Sequence, residues 1–131
     1  MLTFVKLGGS LITNKNKVGS ARRSTIARLV HEIQEALQHN KDLHIILGHG
    51  SGSFGHPAAE RYKTRLGVYS PKDWEGFIEV RQQADALHRI VMDELWKAKL
   101  PAISFPPSAC VTTRKGSKTQ WDLGPFKKAL E

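Results

Sequence analysis

A single cysteine, Cys110, stands among 131 residues, which excludes an internal disulfide and any metal centre built from several cysteines. It reads as a small buried hydrophobe without a chemical role. Long apolar runs are also missing: Leu43 to Leu47, around His44, falls far short of the roughly 20 residues that span a bilayer. The opening Met1-Leu-Thr-Phe-Val-Lys-Leu has no basic head, long apolar core and small-residue cleavage site, so no secretory signal is read and a cytoplasmic location is expected. Acidic residues are few, 12 against 20 lysines and arginines, giving a formal charge of +8 and a surface that attracts anions. Charge alone does not choose between small phosphorylated ligands and nucleic acid. Internal repeats, low-complexity tracts and dividing linkers are absent, and one domain is expected.

What is present alternates strand and helix. Leu2 to Leu7 is rich in β-formers and runs into Gly8-Gly9-Ser10, the pattern of a buried strand ending in a glycine turn. Between Ala21 and His39, Ile26, Leu29, Val30, Ile33 and Leu37 recur at helical spacing. Leu43 to Leu47 predicts a second buried strand, again ending in glycines. A short helix is expected over Pro57 to Tyr62, with the proline in its first turn. Ser70-Pro71-Lys72-Asp73 carries the signature of a helix start, and Trp74, Phe77, Ile78, Ala84, Leu87, Val91 and Leu95 continue the stripe before Pro101. Ala102 to Phe105 and Ala109 to Thr113 predict two further strands separated by Pro106-Pro107. Asn14 to Lys17 is the one segment that reads as a mobile loop. The final Gly124 to Glu131 begins a helical pattern and runs out, as in an interrupted chain. The order favours an α/β domain with a parallel sheet covered on both faces and ligands at the carboxyl ends of its strands.

Chemistry concentrates at those two strand ends. Lys6-Leu-Gly-Gly-Ser10 sets a cation beside two residues without side chains, where backbone N–H groups approach phosphate oxygens. Gly48-His-Gly-Ser-Gly-Ser-Phe-Gly-His56 packs four glycines, two serines and two histidines into nine residues before a helix, whose positive end favours a phosphate. Gly50 to Gly55 formally matches the Gly-x-Gly-x-x-Gly dinucleotide fingerprint, but no ribose-binding acid follows, and neither string is a Gly-x-x-x-x-Gly-Lys-Ser/Thr loop. His31, His39, His44 and His88 have no metal-ligand spacing and read as structural. His49 is expected chiefly to fix the turn.

Taken together, Lys6-Leu-Gly-Gly-Ser10, Lys15 downstream and Gly-His-Gly-Ser-Gly-Ser-Phe-Gly-His-Pro resemble the isopentenyl phosphate kinases of the amino-acid kinase superfamily. Ile103-Ser-Phe-Pro-Pro-Ser108 and the Asp122-Leu-Gly-Pro-Phe helix resemble family segments less specifically. The resemblance spans the chain and implies the N-terminal, acceptor-binding half of a three-layer αβα sandwich with a mainly parallel central sheet. Most of the nucleotide-binding half would then lie outside residues 1–131. It further implies transfer of phosphate from ATP, with Mg²⁺, to isopentenyl phosphate. The residues that match the family's ATP-phosphate contacts are Lys6, Leu7, Gly8, Gly9, Ser10 and Gly52. Lys15 matches a transition-state-stabilising lysine, and Gly50, Ser51, Gly55 and His56 match the acceptor-contacting positions, with His56 holding the acceptor phosphate. Ser51 departs from the glycine common there, and its side chain would either crowd the phosphate or donate to it. Trp74, Phe77 and Ile78 match a region bordering the prenyl tail, though their spacing equally suits a core. No protein metal ligand is implied, and the resemblance implies a homodimer for the family while leaving open whether this chain forms it.

Such chemistry is physically coherent. A phosphate monoester is largely dianionic at pH 7 and needs no general base, so catalysis rests on bringing anions together. A kinase of another small phosphate or phosphonate, such as fosfomycin, fits the same loops. A nucleic-acid-binding module, suggested by Arg22-Arg23 and Arg114-Lys115, fits less well, because basic residues are scattered and do not interleave with aromatics.

Overall fold

The computed structural model describes residues 1–114 and 117–130. Strand β1, Leu2–Leu7, and strand β2, His44–His49, pair in parallel with Leu2 opposite His44 and Leu7 opposite His49. Both expected strands are present but are not buried as read: β2 has no buried residue and β1 only Leu7, with Leu2 and Phe4 exposed on the face away from Leu7, and β2 continues two residues further into its glycines than the apolar run suggested. Equal register at the carboxyl ends sets the two glycine strings side by side.

Helix α1, Gly9–Ile12, is a single turn, so what reads in sequence as an open glycine loop closes at once into helix. Helix α2, Arg23–His39, buries Ile26 and Val30, and lies over the strand face carrying Thr3, Val5 and Leu7. The expected mobile loop is tied down at both ends: Thr13 and Ala21 form a bridge, and the Asn14 N–H donates to the Ser20 carbonyl.

Helix α3, Gly52–Arg61, begins five residues before the expected start, so Pro57 lies inside it rather than in its first turn. An interior proline forfeits one helical hydrogen bond and leaves the carbonyl four residues earlier without its usual donor. Here that carbonyl, on Ser53, accepts instead from the Gly19 N–H at 3.0 Å, which fastens the 14–20 turn to α3.

Helix α4, Pro71–Lys97, opens with the expected capping box: Ser70 Oγ accepts from the Asp73 N–H, and the Asp73 carboxylate accepts from the Ser70 N–H. Those hydrogen bonds to the charged form, chiefly from Ser70 and Tyr69, hold the Asp73 carboxyl below its ordinary range. The stripe is buried only in its second half, at Leu87, Val91 and Leu95, which join Leu7, Ile12, Ile26, Val30 and Phe54 in the core. Trp74, Phe77 and Ile78 are exposed at 57%, 37% and 52%, which removes the core reading of these three.

Beyond α4 the expected pair of strands is corrected. Residues 102–105 form no strand, because prolines at 101, 106 and 107 bracket them and remove ladder donors. Pro107 instead starts the helical turn α5, Pro107–Cys110, from which strand β3, Val111–Arg114, pairs antiparallel with β4, Ser117–Trp121. The hairpin went unforeseen because β4 is mostly polar. Cys110 is half-buried rather than buried, its Sγ 3.7 Å from the Pro106 carbonyl. Helix α6, Gly124–Leu130, forms as expected; Glu131, with which that pattern was read to end, lies outside the described residues, as does Lys115 of the Arg114-Lys115 pair. Among the described residues no helix is long and apolar enough to cross a membrane.

Candidate active site

The two glycine strings meet backbone to backbone. The Gly50 N–H donates to the Leu7 carbonyl at 3.0 Å. A methyl group placed on Gly9 would lie 2.6 Å from the Gly52 nitrogen and 2.8 Å from its Cα, and one on Gly50 would lie 2.9 Å from the Gly9 nitrogen. Gly52 adopts φ +49°, and a methyl group there would stand 2.2 Å from Thr13 Oγ1. No side chain fits between these turns. Among the described residues, the N–H groups of Gly9, Ser10 and Gly52, first in α1 and α3, have no hydrogen-bond acceptor. Two helix starts thus present free donors at the carboxyl end of a parallel strand pair, an arrangement suited to phosphate oxygens.

Thr13 holds this junction together and was not singled out from sequence. Fully buried, it donates from Oγ1 to the Gly9 carbonyl at 2.7 Å and accepts from the Ser53 N–H at 3.0 Å, linking α1 to α3. The available signal was a hydroxyl residue four after Gly9, positioned to bond back to the carbonyl one turn earlier. Thr13→Val preserves shape, leaves the Ser53 N–H without its acceptor and leaves the Gly9 carbonyl only the Thr13 N–H, so it is expected to cost about 1–3 kcal/mol, while Thr13→Ser stays within about 1 kcal/mol. Urea midpoints of the two variants check this.

Two lysines sit on the elements that frame the junction. Lys6, opposite Gly48, and Lys15, in the turn fastened to α3, are both exposed. Among the described residues neither is in an ion pair. His56 is exposed on α3, one turn after Gly52. Leu7 and Gly55 are buried, so their side chain and Cα serve packing: Leu7 enters the core, and Gly55 admits the Ser51 side chain, whose Oγ would stand 2.7 Å from a methyl group there. Ser51 therefore lies along α3 and faces a cavity of about 520 Å³ bordered by Phe4, Ile46, His88, Val91 and Ile103. Trp74, Phe77 and Ile78 do not line it. Among the described residues no group of three His, Cys, Asp or Glu could hold a metal ion.

The amino acid kinase family profile matches residues 1–131. The chain belongs to the amino acid kinase family. Within it, this chain is 36% identical to the isopentenyl phosphate kinase of Methanocaldococcus jannaschii, covering all of this chain and 52% of that protein. It is 30% identical to that of Methanothermobacter thermautotrophicus, covering 99% and 49%. A solved isopentenyl phosphate kinase superposes with a TM-score of 0.85 at 30% identity, over 99% of this chain and 54% of the other. The product complex of the Thermoplasma acidophilum enzyme gives 0.81 at 28% identity, over 99% and 50%. The fold expected from sequence is thereby established, and this amino acid kinase chain spans about half the length of the relatives it matches.

One cluster lies beyond the residues expected from the family resemblance. His49 Nδ1 is 3.3 Å from the Gly50 carbonyl and its Nε2 3.0 Å from His88 Nδ1, while His88 Nε2 is 2.7 Å from Ser104 Oγ. Burial, and then the neighbouring His49, push the His88 pKa below its ordinary value, against the pull of Asp85.

Proposed function

We propose that residues 1–131 form the acceptor-binding half of an ATP-dependent kinase that converts isopentenyl phosphate to isopentenyl diphosphate, in isoprenoid biosynthesis. The observation that carries this reading is the abutting glycine pair, Gly9 against Gly50 and Gly52, which clears the strand ends of side chains and, among the described residues, leaves the Gly9, Ser10 and Gly52 N–H groups without an acceptor. Similarity to named isopentenyl phosphate kinases along the whole chain supports the choice of acceptor.

In this reading the N–H groups of Gly9, Ser10 and Gly52 hold nucleotide phosphate oxygens. Lys6 and Lys15 offset the negative charge that accumulates as two anions approach, and such stabilisation is the main work of phosphoryl transfer. His56 holds the acceptor phosphate beside Gly50 and Ser51, and the neighbouring apolar cavity takes the hydrocarbon tail. Mg²⁺ would be carried mainly on nucleotide phosphates, as that ion commonly is. The adenine pocket belongs to a segment outside residues 1–131, in line with relatives about twice as long. The cytoplasm is the proposed location.

Calorimetric titration with isopentenyl phosphate, fosfomycin and a single-stranded oligonucleotide tests the acceptor. Isopentenyl phosphate is expected to bind at least tenfold more tightly than fosfomycin, because only its tail buries apolar area in the cavity. Preference for fosfomycin would reassign the acceptor. Salt-sensitive oligonucleotide binding without phosphate-ester binding would replace the kinase reading altogether.

A further inference from the structure

The groups from Gly50 to Ser104 admit one arrangement of protons while both imidazoles are neutral. The Gly50 carbonyl only accepts, so the nearby His49 Nδ1 carries the hydrogen and His49 Nε2 is bare. That bare nitrogen, 3.0 Å away, requires the hydrogen of His88 on Nδ1. His88 Nε2 is then bare and accepts the Ser104 hydroxyl at 2.7 Å. The imidazole planes lie within 16° of each other, suited to an in-plane bond. Burial of His88 favours its neutral form, and the charged groups near it are the Asp85 carboxylate one turn earlier on α4 and Arg81, paired with that carboxylate.

Each end of this relay belongs to a different part of the site. Gly50 abuts Gly9 in the phosphate junction. Ser104 sits in the proline-bracketed segment that walls the large cavity, where no strand ladder fixes it. We propose that His88 is a positioning residue: through His49 it orients the Gly50 carbonyl, and through Ser104 it couples the acceptor-phosphate loop to the wall of the tail cavity. This rests on the reading of Gly50 to His56 as the acceptor loop. A seated tail pressing on the 101–106 segment would thereby be felt at the phosphate end.

Nitrogen NMR of the histidine rings in the full chain at pH 7.5 tests the relay directly, with no ligand. Both His49 and His88 are expected to be protonated at Nδ1 and bare at Nε2. Asparagine places its amide where Nδ1 stood and glutamine where Nε2 stood. His88→Asn should therefore keep the Gly50 and Gly52 amide signals near wild type, while His88→Gln and His88→Leu shift them. Affinity for isopentenyl phosphate should fall roughly tenfold in the leucine variant, which loses both bonds, and by a smaller factor in the asparagine variant, which keeps the His49 bond, and in the glutamine variant, which keeps the Ser104 bond. Nε2-protonated tautomers in the wild-type chain, or unchanged loop signals in a folded His88→Leu chain, would overturn the proposal. If the wild-type chain binds no isopentenyl phosphate, the functional reading fails, and the ring nitrogens and loop amides still decide whether the relay exists.

Discussion

Gly52→Ala is expected to destabilise the chain by about 2–4 kcal/mol and to abolish measurable phosphate binding. Two costs combine. A side chain at φ +49° occupies the left-handed region that L-residues enter at a cost of about 1–2 kcal/mol. The added methyl group also meets Thr13 Oγ1 at 2.2 Å and the Gly9 carbonyl at 2.6 Å, and neither is the loose end of a flexible chain. Relief requires α1 and α3 to part, which breaks the Thr13 bridge and scatters the free donors. Gly19 provides an internal control, since its φ is +65° but nothing lies within 4 Å of an added methyl group. Gly19→Ala should show the dihedral cost alone, about 1 kcal/mol, and retain binding. Urea denaturation of both variants, followed by titration with isopentenyl phosphate, separates the two costs. Equal losses in both would mean that the close approach of α1 and α3 is not what the site depends on.

His56→Ala is expected to do the opposite: leave stability within about 0.5 kcal/mol and weaken acceptor binding by roughly tenfold to a hundredfold. The side chain is exposed and, among the described residues, makes no hydrogen bond or ion pair, so the fold loses nothing with it. A charge-assisted hydrogen bond to a phosphate is worth about 1.5–3 kcal/mol, which sets the expected loss of affinity. Together the two variants divide the loop into a part that shapes the site and a part that grips the ligand.

The features legible in sequence were those written within a few neighbouring residues. The apolar runs of β1 and β2, the Ser70-Asp73 capping box and the Ile26-Val30 face of α2 each declare themselves locally, and so did both glycine strings. The start of α3 was hidden because glycines and serines ordinarily mark a turn. Gly52 begins a helix here because the Gly9 backbone and Thr13 pack against it, and those contacts reach back some 40 residues. Residues 102–105 mislead in the other direction, since β-forming side chains without a ladder partner make no strand. The partners of His88 were hidden because they are His49 and Ser104, and helix periodicity gives no hint of either. Trp74, Phe77 and Ile78 carry helical spacing without burial, so that spacing identified the helix but not its packed half.

The most direct measurement is phosphorus NMR of the purified 131-residue chain and its His56→Ala variant with isopentenyl phosphate, ATP and Mg²⁺. The phosphate signal of isopentenyl phosphate should shift and broaden with the wild-type chain and stay close to its free position with the variant. Diphosphate should accumulate slowly, if at all, until a nucleotide-binding segment is supplied. Rapid turnover by residues 1–131 alone would contradict the division of labour between halves, and a folded wild-type chain that leaves the acceptor signal unmoved would contradict the acceptor site itself.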